Sequence, residues 1–258
     1  MGGALLSGML REGISKSRIL VVDTNKQKLK ELSGIKFLSN FNDKKISNFS
    51  PDIIIFAVKP QIIDDIIKVY KKFSDKSVFV SIIAGKTIGY FEKHLGSKAA
   101  IIRSMPNLPS MISQGITVVC ANNSVKNSSI KIVMKIFSLV GKSIKIEGKD
   151  EDLLDAVTAV SGSGPAYLFY LIECMQNAAI KLGLPTDIAE ELVVQTVYGS
   201  AILAYSSQDK AKILRENVTS PKGTTEAALK VLMDNNHMAK LFEKALHSAC
   251  KRSKELAQ

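Results

Sequence analysis

The chain has 258 residues, 46% of them hydrophobic, enough to bury a core in one large domain or two modest ones, and that composition argues against disorder. No apolar run reaches the roughly 18 to 20 residues of a bilayer span, and the opening MGGALLSGML lacks a basic n-region and a cleavage site, so a soluble, cytoplasmic protein with no membrane partner is expected. The formal charge of +11 comes from lysines spread along the chain without interleaved aromatics, which points to solvated helix faces and small anionic ligands and away from nucleic acid.

The opening segment sets Ala4, Leu5, Leu6, Met9 and Leu10 at helical spacing, with Gly13 as a stop. In a dinucleotide-binding unit this pattern is the second half of a glycine-rich turn and its helix, the first half being a strand that ends in G-x-G. RILVVD (18–23) predicts a short buried strand, KQKLKELSG (26–34) a polar helix, and PDIIIFAVKP (51–60) an apolar strand closed by proline. QIIDDIIKVYKKF (61–73) predicts a helix, SVFVSIIAG (77–85) a strand, TIGYFEKHLG (87–96) a helix and AAIIRSMPN (99–107) a further strand. GITVVCA (115–121), the helix over 128–141 and SIKIEG (143–148) complete the series.

This alternation implies a parallel, doubly wound sheet over 1–150, with ligands bound beyond the carboxyl ends of its strands. The exits at Asp23 and Thr24, at 57–60, at 83–85 and at 105–107 are therefore the expected crevice. From 151 to 258 no strand is predicted. Helices over 165–183, 185–205 and 224–234, a segment around KILRENV and a last helix after Met238 form an all-helical second domain. The first of these helices carries Tyr167, Phe169, Leu171, Ile172 and Met175 on overlapping faces, which a homodimer would bury.

Asp23 lies 21 positions beyond Gly2, near the spacing of about 20 at which an acidic residue bonds a dinucleotide ribose; a capping role serves it equally well. TSPKGTTEAAL (219–229) leads small hydroxyl residues and a glycine into a helix, which can aim N–H groups at a carboxylate, although capping by Thr224 or Thr225 needs no ligand. AVSGSGPAY (159–167) is not a G-x-S-x-G elbow, and its Gly162, Gly164 and Pro165 read as a close-packed junction between two helices. Cys120, Cys174 and Cys250, like His94, His237 and His247, are scattered, so neither a disulfide framework nor a metal site is expected.

IIFAVKPQ (54–61), SIIAG (81–85), IIRSMPNLP (101–109), VSGSGPAY (160–167) and VTSPKGTTEAAL (218–229) occur in this order over most of the chain, which thereby resembles the pyrroline-5-carboxylate reductases. The resemblance implies a Rossmann-type domain, a helical domain that dimerises by interleaving, and hydride transfer from NADP(H) or NAD(H) to the C=N bond of 1-pyrroline-5-carboxylate. It implies that Thr225 bonds the substrate ring nitrogen, that the backbone of Lys222, Gly223 and Thr224 holds the carboxylate, and that Val218 packs beside the ring. It implies too that Ala57, Val58, Lys59 and Pro60, with Met105, Pro106 and Asn107, line the nicotinamide end of the cofactor site. Family members begin with a strand and a G-x-G-N-M-G turn, whose last M-G aligns with Met1 and Gly2. The family's first strand, central in its sheet, and the two leading glycines are thus not in the sequence, and strands left without that neighbour are expected. Lys222 stands where many members carry glycine, a change that matters if its backbone needs positive φ. Two other readings are a reductase of the 3-hydroxyacid dehydrogenase type and a non-catalytic homo-oligomer that has lost its cofactor loop. The first expects a lysine acid on the helix over 165–183, which carries none before Lys181.

Overall fold

The computed structural model describes residues 1–25 and 34–256, so the helix predicted over 26–34 lies almost wholly outside the described residues. The chain forms two compact units: residues 1–163 with the chain from Ala249 on, and Gly164–Ser248. The helix after residue 150 packs on the sheet and so belongs to the first compact unit.

In the first unit α1 (Gly2–Arg11) is followed by β1 (Leu20–Val22), β2 (Lys36–Leu38), β3 (Ile53–Phe56), α2 (Ile63–Tyr70), β4 (Val78–Ser81), α3 (Ile88–Leu95) and β5 (Ala100–Met105). Then come β6 (Gly115–Ala121), α4 (Asn127–Ser138), β7 (Gly141–Ile146) and α5 (Leu153–Val157). Local chemistry sets several boundaries. Thr87 caps α3 by accepting the Tyr90 N–H at 3.1 Å, and Gly96 ends the helix at φ +113°.

The sheet is in two parts, β1 with β2 and the five-stranded order β3-β4-β5-β6-β7. The division falls between β1 and β3; among the described residues β1 pairs only with β2, and β3 only with β4. β2, three residues long, has too little pattern to be predicted.

The expected all-parallel order also needs correcting, because β6 runs antiparallel to β5. Only residues 106–114 join the two strands, with a 3₁₀ turn at Leu108–Ile112. A parallel crossover needs about a dozen residues or more. β6 and β7, joined through α4, are parallel.

Both faces of the larger sheet are covered, which is why its strands read as apolar runs. On one face Phe56, Phe79 and Ile101 meet Ile63 and Ile67 of α2 and Phe91 and Leu95 of α3. Phe56 stacks between Phe79 and Phe91 with centroids 5.9 and 5.7 Å away. On the other face Val78, Val80, Ile102 and Val119 meet Leu5 of α1 and Ile130, Val133 and Phe137 of α4. Val22 and Leu38 of the smaller sheet pack against the first of these clusters.

The second unit takes α6 (Gly164–Lys181), α7 (Thr186–Ser206), α8 (Ala211–Asn217), α9 (Thr224–Met233) and the first part of α10 (His237–Leu256). Its only buried apolar residues are Ala189 and Val193, while Phe169, Tyr170, Tyr198 and Leu203 stand exposed. One copy cannot enclose these helices. Among the described residues no helix is long and apolar enough to cross a membrane.

Candidate active site

The expected site residues fall into two sets, one in each unit. In the first unit Met1 is the N-cap of α1, and a side chain at Gly2 would approach Ala57 Cβ to 3.0 Å. The structure therefore brings the start of α1 to the exit of β3. The first N–H groups of a helix have no intrahelical acceptor, and in open sheets this is where a phosphate is held.

The neighbouring exits are held by buried hydroxyls that the sequence reading did not single out. Ser104 Oγ donates to the Ser81 carbonyl at 2.8 Å, and Ser81 Oγ accepts the Ile83 N–H at 3.2 Å. Asn107 Oδ1 accepts the Ile116 N–H at 2.9 Å and so shapes the loop from β5 to β6. Ala57 and Lys59 are exposed, Val58, Pro60, Met105 and Asn107 half-buried, and Pro106 buried. Asp23 is exposed after β1, where its carboxylate accepts the Asn25 N–H at 2.8 Å and closes an Asx turn.

The SGSG junction is a π turn. α5 runs into π-helix over Thr158–Gly162, closed by the Ser163 N–H on the Thr158 carbonyl at 2.8 Å. This extra residue turns Gly162 onto Met105, whose Cε would lie 2.4 Å from a Cβ at position 162. The close packing expected of this junction therefore resides at Gly162; a side chain at Gly164 would meet nothing within 4 Å. Gly162→Ala should push the Met105 side chain aside and cost about 1–3 kcal/mol in urea unfolding. The cost should shrink when Met105 is also cut back to alanine, a coupling that a double-mutant cycle reads directly.

In the second unit, Val218 follows α8 with its side chain exposed, and the chain turns through Thr219–Lys222 into α9. Gly223 is the N-cap, with no side-chain capping bond, so Thr224 and Thr225 do not cap but sit in the first turn. Their hydroxyls have no hydrogen-bond partner among the described residues, whereas Thr219 Oγ1 donates to the Arg215 carbonyl at 2.6 Å. Thr225 is half-buried.

The backbone donors differ from expectation. The Gly223 N–H donates to the Ser220 carbonyl at 3.0 Å, and the Lys222 N–H donates to the Glu226 carboxylate. Both are thus engaged within the chain. The N–H groups of Thr224, Thr225 and Glu226, all in the first turn, are the ones left to face an anion. Lys222 has φ +63°, so the positive-φ condition attached to this residue is met.

Glu226 was not singled out in the sequence, although its place three residues after the N-cap is the capping-box position. The Lys230 ammonium, then the Lys222 N–H, hold its carboxyl below the ordinary glutamate range. Among the described residues no group of three or more His, Cys, Asp or Glu is placed to hold a metal ion. The cysteines are free thiols, and burial pushes the Cys120 thiol up to about 11.

Comparison with known proteins extends these observations over the whole chain. Residues 151–256 match the family described as pyrroline-5-carboxylate reductase dimerisation, and residues 1–85 match the one described as NADP oxidoreductase, coenzyme F420-dependent. A pyrroline-5-carboxylate reductase of Pseudomonas aeruginosa is 35% identical, covering 100% of this chain and 94% of the relative. The solved pyrroline-5-carboxylate reductase of Coxiella burnetii has a TM-score of 0.90 at 35% identity, over 100% of this chain and 95% of that one. The Plasmodium falciparum pyrroline carboxylate reductase solved with NADP bound has a TM-score of 0.87 at 30% identity, again over 100% and 95% of the two chains. Agreement of sequence and fold along the full length places this chain in the pyrroline-5-carboxylate reductase family.

Proposed function

We propose that the protein reduces the C=N bond of 1-pyrroline-5-carboxylate to give L-proline, the last step of proline synthesis, with NADP(H) or NAD(H). The observation that carries this reading is the first turn of α9, where two threonine hydroxyls without a partner among the described residues stand beside helix N–H groups that can face a carboxylate. Thr225 Oγ1 bonds the ring nitrogen, the N–H groups of Thr224, Thr225 and Glu226 hold the carboxylate, and Val218 offers an apolar side to the ring.

The strand exits of the first unit fit a nicotinamide dinucleotide. The start of α1 opens beside Ala57, with Val58, Lys59 and Pro60 just beyond the end of β3 and Met105, Pro106 and Asn107 at the end of β5. When bound, the reduced nicotinamide supplies the hydride. The substrate is a cyclic imine that protonates readily, and an iminium accepts hydride without a dedicated strong acid, so the chain acts mainly by positioning. The NADP oxidoreductase family match supports NADP(H), while a carboxylate at Asp23 disfavours the ribose phosphate.

The second unit's exposed apolar helices pair with those of a second copy, making a cytoplasmic homodimer. Nothing in the comparisons favours either rival reading. Purified full-length protein is expected to sediment as a dimer or larger oligomer and to oxidise NADPH or NADH only when pyrroline-5-carboxylate is added. A folded oligomer that oxidises neither nucleotide would overturn the catalytic reading in favour of a non-catalytic assembly.

A further inference from the structure

The turn before α9 carries an unusual load. Lys222 is held at φ +63°, where an L side chain crowds the following carbonyl, while the neighbouring Gly223 has the ordinary φ of −84°. The turn's glycine is thus one position late, and the left-handed cost, about 1–2 kcal/mol, falls on the lysine. The lysine ammonium has no ion-pair partner among the described residues, so its side chain does not offset that cost.

An offset is visible on the backbone. The Lys222 N–H donates to the Glu226 carboxylate, and Lys230 Nζ, one turn further on, lies 3.0 Å from the other carboxylate oxygen. A hydrogen bond from a backbone N–H to an ionised carboxylate is charge-assisted, and it holds the strained backbone in place. A carboxylate in the first turn also suits the helix dipole.

We propose that Glu226 is a positioning residue for substrate: by clamping the Lys222 N–H it keeps lysine in the left-handed form and the N–H groups of Thr224 to Glu226 aimed at the substrate carboxylate. The inference rests on the proposed role of this turn. Without the clamp Lys222 relaxes toward negative φ, the peptides around Gly223 rotate, and the donors no longer converge. The clamp is needed because position 222 is not glycine.

A double-mutant cycle on the full-length enzyme tests this. Glu226→Ala is expected to raise KM for pyrroline-5-carboxylate about five- to thirtyfold, the size of the unopposed left-handed cost. kcat and the KM for NADPH should move less than about twofold. Glu226→Gln, which keeps an acceptor oxygen, should restore most of the loss. In a Lys222→Gly background, where the left-handed form is free of strain, Glu226→Ala should change KM by less than about twofold. An equal rise in both backgrounds overturns the clamp while leaving the turn as the carboxylate site. If the variants lower the thermal midpoint but none moves the substrate KM, both the clamp and the turn's role fall.

Discussion

Replacing Arg103 by methionine is expected to destabilise the protein by about 3–5 kcal/mol, measured as a lowered urea midpoint at fixed protomer concentration with the slope unchanged. Arg103 lies in the middle of β5 and is 4% exposed. Its Nη1 donates to Glu151 Oε1 at 2.9 Å, and its Nη2 lies 3.8 Å from Asp155 Oδ1. The same Glu151 oxygen accepts the Ile88 N–H at the start of α3, and Asp155 Oδ1 accepts from Ser253 Oγ at 2.6 Å. The cluster thus joins β5, α3, α5 and the end of α10. Methionine keeps most of the volume and removes the only cation facing the two carboxylates among the described residues. The cost is therefore of uncompensated buried charge and not of a cavity. Salt should change it little, since a buried pair is only weakly screened. Ser253→Ala removes one hydrogen bond and should cost about 1.5–3 kcal/mol, less than the arginine, because its acceptor is a carboxylate that keeps its cation.

Thr225→Val is expected to lower kcat/KM for pyrroline-5-carboxylate by about 10- to 150-fold, the loss of one hydrogen bond to a charged or charging group. Valine matches threonine in shape, and the hydroxyl it removes has no partner among the described residues, so the first turn of α9 should hold. Thermal unfolding should stay close to wild type. Thr225→Ser keeps the oxygen and should recover most of the activity, while the KM for NADPH should be unaffected by either change. Equal kcat/KM for threonine and valine enzymes would move the ring nitrogen's partner elsewhere and leave Thr225 as an ordinary helix residue. Measuring both variants with the Glu226 series separates loss at the ring nitrogen from loss at the carboxylate.

The amino-acid sequence by itself determined the strand-and-helix alternation of the first unit, because strands buried on both faces must be apolar throughout and their helices must repeat at 3.6 residues. It also determined where α3 begins and ends, since Thr87 and Gly96 are local signals whose partners lie within a turn. The motifs named the family. What remained for the tertiary structure were features whose causes are distant or conformational. Arg103 meets Glu151 48 positions away, and Asp155 meets Ser253 98 positions away. No local pattern encodes either meeting. The reversal of β6 follows from a connection too short to cross over, and the π turn from one extra residue wedged between α5 and α6. At the candidate site, spacing pointed to TSPKGTT but could not say which N–H groups stay free. That depends on the left-handed backbone of Lys222 and on the Glu226 carboxylate closing over it, and lysine has no intrinsic preference for that conformation.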